Sequence, residues 1–255
     1  MKRVDKRFVE ACKNGDLENV KYFLTSKKFK INADIHADDD YGFKEACEEG
    51  HLEVVKYLLT SPDLEEHADI HANDDWGFSW ACENGHLEIV KYLLTSPDLK
   101  EHADIHAFGD WGFRMACENG HLEIVKYLLA STDLKEHANI HARNDRGFRL
   151  ACQYGHLEVV KYLLTSPDLK EHADIHADND YGFRWACNNG DLELVKFHVF
   201  EMNFQLSLEI RTKINSINIY NKEEIFNLFD RRDFEKKLQN NLKVNEEKPV
   251  KRTKI

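Results

Sequence analysis

Proline is scarce in this chain, four residues in 255, so collagen-like and proline-rich linker classes are excluded. No apolar run approaches the roughly 18 residues that a membrane helix needs. The opening MKRVDKRFVEACKNGD lacks the apolar segment of a secretory signal. There is no nucleophile elbow, no Gly-rich phosphate loop and no HExxH. These absences predict a soluble cytoplasmic protein with no membrane partner, no cofactor and no enzymatic activity.

Apolar material is sufficient for a core, at 42% of the chain. Charge is unevenly spread. Residues 1–204 hold 23 Lys+Arg against 38 Asp+Glu, a net of −15, whereas residues 205–255 hold 12 against 8, a net of +4. An acidic body repels a phosphate backbone, so no nucleic-acid partner is expected for it.

The six cysteines, Cys12, Cys47, Cys82, Cys117, Cys152 and Cys187, lie 35 residues apart every time. One cysteine per fixed interval marks a repeated core position. Stacked repeats sit near 10 Å apart, beyond the roughly 7 Å limit for a disulfide, so the thiols are read as buried and reduced. Other residues keep the same register in all six copies: Asp seven before the cysteine, Phe four before, Ala one before, Gly three after, Leu five after and Lys nine after.

The fixed positions predict two short antiparallel helices per copy. In copy three, Phe78, Ala81 and Cys82 fall at i, i+3 and i+4 on one apolar face. Asp75 stands where an N-cap belongs, and Asn84-Gly85 supplies a left-handed stop. Leu87, Ile89, Val90, Leu93 and Leu94 form the second helix, which Ser96-Pro97-Asp98 ends. The segment from Ala103 to Ala107 reads as extended with Ile105 inward, and residues 108–110 as a turn tip. Helices this short need neighbouring copies to bury them, which gives a solenoid.

GHLEIVKYLL followed by ADIHA resembles the ankyrin repeat, whose usual run is GHLEVVKLLL followed by ADVNA. The resemblance implies an all-α ankyrin-like repeat solenoid of stacked helix-turn-helix units with short hairpin-like tips. It covers residues 1–204 in six repeats with atypical terminal copies, leaving 205–255 as a capping helix and basic tail. The departures are a 35-residue period rather than 33, a longer SPDLKEH loop, and Tyr/Trp/Arg-Gly in place of Thr-Pro at the first-helix start. The resemblance also implies a protein partner, held as in ankyrin proteins on the concave face made by the tips and first helices. Such proteins include adaptors, among them host-directed factors of viruses and intracellular bacteria, for which the compartment would be the host cell.

Residues that vary between copies fall on that face. Copy three offers Asn73, Asp74, Trp76, Ser79 and Trp80. Copy four offers Phe108, Trp111, Arg114 and Met115, and copy five Arg143, Arg146, Arg149 and Tyr154. Copy six adds Asp178, Tyr181, Arg184 and Trp185. Trp, Tyr, Met and Arg are the residues enriched at interface hot spots, and an Arg row supplies carboxylate-binding forks. The same pattern allows the residues two before the cysteine, Trp80, Met115, Leu150 and Trp185, to pack on the neighbouring repeat instead. The acidic body favours basic or mixed-charge partners, and a monomer is expected.

Fourteen histidines raise a metal-binding alternative. His36, His71, His106, His141 and His176 stand where ankyrins carry a structural Asn. They are read as a ladder bonding repeat to repeat, buried and neutral, which acid would loosen. The end copies depart from the pattern: copy one carries the KKFK run at 27–30, and copy six reads FHVFEMNF after Lys196. Beyond the repeats, Asn221 is expected to cap a helix through Ile225, Phe226, Leu228, Phe229, Phe234 and Leu238 that lids the last repeat. Lys236-Lys237 and KPVKR from Lys248 fit a two-part nuclear-import pattern. A second alternative is a ubiquitin-ligase-type adaptor using this extension.

Overall fold

The computed structural model describes residues 1–26, 32–202, 212, 223–233 and 236. The KKFK run, Asn221, Phe234, Leu238 and the basic tail lie outside the described residues. The chain divides into two compact units, Met1–Ala177 and Asp178–Ile255.

The first unit is a stack of five helix pairs. The first helices are α1 (Arg3–Lys13), α3 (Ala37–Glu48), α5 (Ala72–Glu83), α7 (Ala107–Glu118) and α9 (Ala142–Gln153). Their partners are α2 (Leu17–Thr25), α4 (Leu52–Thr60), α6 (Leu87–Thr95), α8 (Leu122–Ala130) and α10 (Leu157–Thr165). Each first helix packs on the first helix of the next copy, α3 on α5 and α5 on α7. The predicted face is the buried one: Phe78, Ala81 and Cys82 are almost wholly covered, as are Ile89, Val90 and Leu93 on the second helix. Each such aliphatic or aromatic side chain contributes about 1.5–3 kcal/mol by leaving water. All six cysteines are buried.

Two glycines in each of copies two to five explain why these helices stack so closely. Gly85 ends α5 with φ +84°, and a Cβ there would stand 2.7 Å from the His121 ring of the next copy. Gly77 opens the right-handed part of α5. A Cβ there would stand 2.6 Å from Phe43 and 3.3 Å from the Cys47 Sγ of the copy before. The Trp-Gly that replaces Thr-Pro is therefore a close-approach site.

The tips differ from the sequence expectation. Among the described residues there is no hairpin strand. Instead three consecutive residues in each of copies two to five are left-handed: 38–40, 73–75, 108–110 and 143–145, with φ between +51° and +66°. Each tip is one left-handed turn that reverses into the right-handed helix. Such a conformation costs about 1–2 kcal/mol per ordinary residue and is tolerated best by Asn, Asp and Gly. The tip positions are all Asn, Asp or Gly except Phe108 and Arg143.

The expected N-cap is also corrected. Asp75 does not cap its own helix; its carboxylate accepts the backbone N–H of Asp104 in the next copy at 3.0 Å. The same bond joins Asp5 to Asp34, Asp40 to Asp69, Asp110 to Asn139 and Asp145 to Asp174. These aspartates are buried, so each bond satisfies a polar group that would otherwise be costly to cover. For Asp40 and Asp75 burial outweighs the bonds and holds the carboxyl above its ordinary range.

The histidine ladder exists, but on other residues. His51, His86, His121 and His156 each donate Nε2–H to a first-helix carbonyl of the preceding copy, at 2.7–2.8 Å. The ADIH histidines His36, His71, His106 and His141 place Nδ1 2.9–3.1 Å from the Asp of their own copy. Their side chains are 40–42% exposed rather than buried.

The second unit holds the sixth pair. α11 begins at Ala177 and runs to Asn189, and α12 (Leu192–Lys196) continues into a π-helical turn, Phe197–Glu201. FHVFE thus extends the last helix, burying Phe197, His198 and Val199. His198 donates Nδ1–H to the Leu194 carbonyl at 2.8 Å. Residues 223–233 are helical, with Ile225 and Phe229 buried and the Phe229 ring 5.9 Å from Phe183. Of the helix expected from Asn221 through Leu238, only residues 223–233 and 236 are described.

Candidate functional site

The variable positions of copies three to five separate into exposed and buried sets. Trp76, Phe108 and Trp111 stand 41%, 45% and 37% exposed on adjacent copies, which is high for aromatics next to fully buried phenylalanines. Asn73, Asp74, Arg143 and Arg146 are exposed, and Tyr154 is 51% exposed. Ser79, Arg114 and Met115 are buried, while Trp80 and Arg149 are half-buried.

The aromatics cluster. Trp76 stacks on Trp80 with ring centroids 5.6 Å apart, and Tyr41 of copy two meets Trp80 edge-on at 6.4 Å. The Lys44 ammonium is buried between the Tyr41 and Trp76 rings, 5.7 Å from each. Burial pulls its pKa down against the upward pull of Asp39, Asp40 and Asp38. The residue two before the cysteine therefore serves both roles weighed for it: Trp80 joins the surface cluster, whereas Met115 and Leu150 go inward.

The Arg row holds the tips. Arg114 donates from Nε to the Gly109 carbonyl and from Nη2 to the Phe108 carbonyl, both at 3.0 Å. Arg149 does the same to Asn144 and Arg143, at 2.9 and 3.2 Å. A guanidinium three before the cysteine thus ties down the carbonyls of the left-handed turn. Its planar fork suits two carbonyls. Arg114 also lies over the Trp111 ring, 5.1 Å from its centroid.

A charge gradient crosses the same face and was not singled out from the sequence. Copy two presents Asp38, Asp39 and Glu48, copy three Asp74 and Glu83, and copy four Glu118. Glu49 is held by Lys13 of copy one at 3.3 Å. Copy five presents the exposed Arg143 and Arg146 and the half-buried Arg149, with no carboxylate at the equivalent positions. Burial first, and neighbouring carboxylates second, push the pKa values of Glu48 and Glu83 up. Burial, then Arg146 and Arg143, pull that of Arg114 down. The signal was present in the sequence as the change from Glu to Gln153 one residue after the cysteine.

In the second unit Asp178 is exposed, and Tyr181, Arg184 and Trp185 are half-buried. Arg184 repeats the tip bond, donating Nη2–H to the Asp178 carbonyl at 3.3 Å. Tyr181 and Trp185 lie 6.0 Å apart.

Among the described residues no three His, Cys, Asp or Glu side chains converge to hold a metal. No helix among them is long and apolar enough to cross a membrane. Burial pushes the thiols of Cys12, Cys47, Cys82, Cys117 and Cys187 far up, away from nucleophilic use.

Compared with protein families, the chain matches the model of ankyrin repeats, three copies at a time, over residues 8–107, 78–179 and 113–204. No curated protein matches it.

Proposed function

This chain belongs to the ankyrin-repeat family, and from that premise we propose that it is a non-catalytic scaffold that holds a partner protein on its tip and first-helix face. Ankyrin repeats are generally protein-interaction modules. The observation that carries the reading is the solvent exposure of Trp76, Phe108 and Trp111 on neighbouring copies. Exposed aromatics grouped on a rigid surface are the usual anchors of an interface. An adaptor working in the cytoplasm fits this reading. Among the described residues, neither the C-terminal extension nor the histidines offer a comparable surface. Ile225 and Phe229 of the extension are turned into the second unit, and each ADIH imidazole faces its own aspartate.

The test is a paired capture of partners from cell lysate by wild type and by Trp76→Ala, Trp111→Ala, Arg146→Glu. Arg146 is chosen over Arg149, because Arg149 supports its own tip. Circular dichroism checks that the variant keeps its helices. A protein held by wild type, lost from the variant, and shielding residues 73–154 from hydrogen exchange supports the reading. A capture that the variant leaves unchanged refutes it.

A further inference from the structure

Resting on that reading, we infer that the first-helix face of copies two to five takes a charge-split peptide segment of the partner. Its Lys/Arg-bearing end lies over copies two and three, its apolar residues over Trp76, Phe108 and Trp111, and its Asp/Glu-bearing end over copy five.

The argument starts from unpaired charge. Glu83 and Glu118 make no ion pair among the described residues, nor do Arg143 and Arg146. These groups line one face without an ion pair of their own, Glu118 feeling the buried Arg114 on its own helix. Glu83 and Glu118 contribute only their main-chain carbonyls to the stack, which accept from His121 and His156. Their carboxylates are left for another molecule. Burial and mutual repulsion already penalise the charge on Glu48 and Glu83, so a cation between them relieves a cost that the free protein bears.

Distance makes the two ends independent. Packed helices lie about 8–10 Å apart, so copies two to five span about 25–30 Å. That is roughly three Debye lengths at physiological salt. A partner segment therefore meets an acidic end and a basic end separately, not their average. An extended chain covers that span in about eight residues. The basic block must be short, because copy one reverses sign: Lys13 is already paired to Glu45 and Glu49, at 2.8 and 3.3 Å. The exposed aromatics lie between the charged ends, on copies three and four, where an apolar anchor would be central and water-excluded.

Such a gradient also fixes polarity. A segment laid the wrong way would set like charges against both ends, which is the usual way an interface rejects a wrong register.

The experiment pans a displayed random-peptide library of about 16 residues, roughly twice the extended span, against the full chain at physiological salt. Two variants are panned in parallel: Glu48→Gln, Glu83→Gln, Glu118→Gln, and Arg143→Gln, Arg146→Gln. Wild type is expected to enrich peptides with a Lys/Arg block and an Asp/Glu block separated by apolar residues. The Glu variant should lose selection for the basic block alone, and the Arg variant for the acidic block alone. Each variant should bind a wild-type peptide about tenfold more weakly, as expected for two or three exposed pairs lost. Uniformly charged peptides, peptides without charge enrichment, or no enrichment at all would overturn the inference. If such peptides still depend on Trp76 and Trp111, the face stands as the binding surface and only the charge split falls. Peptides that bind Trp76→Ala, Trp111→Ala unchanged overturn both.

Discussion

The carboxylate of Asp75 accepts the backbone N–H of Asp104, 3.0 Å away in the next copy. This bond and its equivalents pin each left-handed tip to the following loop. Asp75→Ala should leave that N–H without its partner at a part-buried site and lower stability by about 1–3 kcal/mol. Urea unfolding followed by circular dichroism measures it. A midpoint equal to wild type would mean that water replaces the carboxylate at no cost.

Gly85 faces two constraints at once, a φ of +84° and the His121 ring. Gly85→Ala should cost about 1–2 kcal/mol from the backbone alone, and more from displacing the ring. Adding His121→Ala should relieve only the second part, so the double mutant should be less damaged than the two singles summed. Strict additivity in the cycle would show that the ring and the glycine do not touch.

Arg114 ties two tip carbonyls and is only 4% exposed. Replacing it by Met keeps much of the apolar stem but frees both carbonyls. The variant should fold, lose about 1–3 kcal/mol, and exchange amide hydrogens faster around residues 108–112. Unchanged exchange there would contradict a tip-holding role.

Burial lowers the pKa of His198 below its ordinary value. The unfolded chain then takes a proton at a pH where the folded unit does not. Stability from this site is complete above about pH 6.5 and falls as pH drops through that value toward the lowered one. The slope of unfolding free energy against pH between 7.5 and 5 should be smaller in His198→Phe. Equal slopes would place the titration elsewhere.

The six thiols are buried, and five are shifted far toward the neutral form. A thiol-specific disulfide reagent should therefore react slowly with the native chain and fully in denaturant. Fast reaction of more than one thiol in native buffer would contradict the packing of the first helices.

How much of this was legible before the structure depends on where each partner lies. The 35-residue period follows from comparing copies along the chain, and the Phe/Ala/Cys face, the glycine stop and the second-helix apolar set from spacing within one copy. A 3.6-residue helix fixes which side chains share a face whatever surrounds it. The candidate surface was legible for the same reason: tip and first-helix positions vary while their neighbours repeat. The chemistry of its members was only partly so. Trp76, Phe108 and Trp111 are exposed, but Ser79, Arg114 and Met115 turn inward. An Arg reads the same in sequence whether it reaches for a partner or for its own carbonyl.

The sequence by itself determined the repeat, its two helices and its buried thiols, because these rest on spacing along the chain. Only the tertiary structure decided that Asp75 serves the next copy rather than its own helix. It alone also decided that His121 rather than His106 bridges copies by a direct hydrogen bond, and that the tip turns left-handed. The first two depend on the distance between stacked copies. That distance is set by Gly77 and its equivalents beneath Phe43 and Cys47, a contact between residues in different copies that no pattern inside one copy can encode.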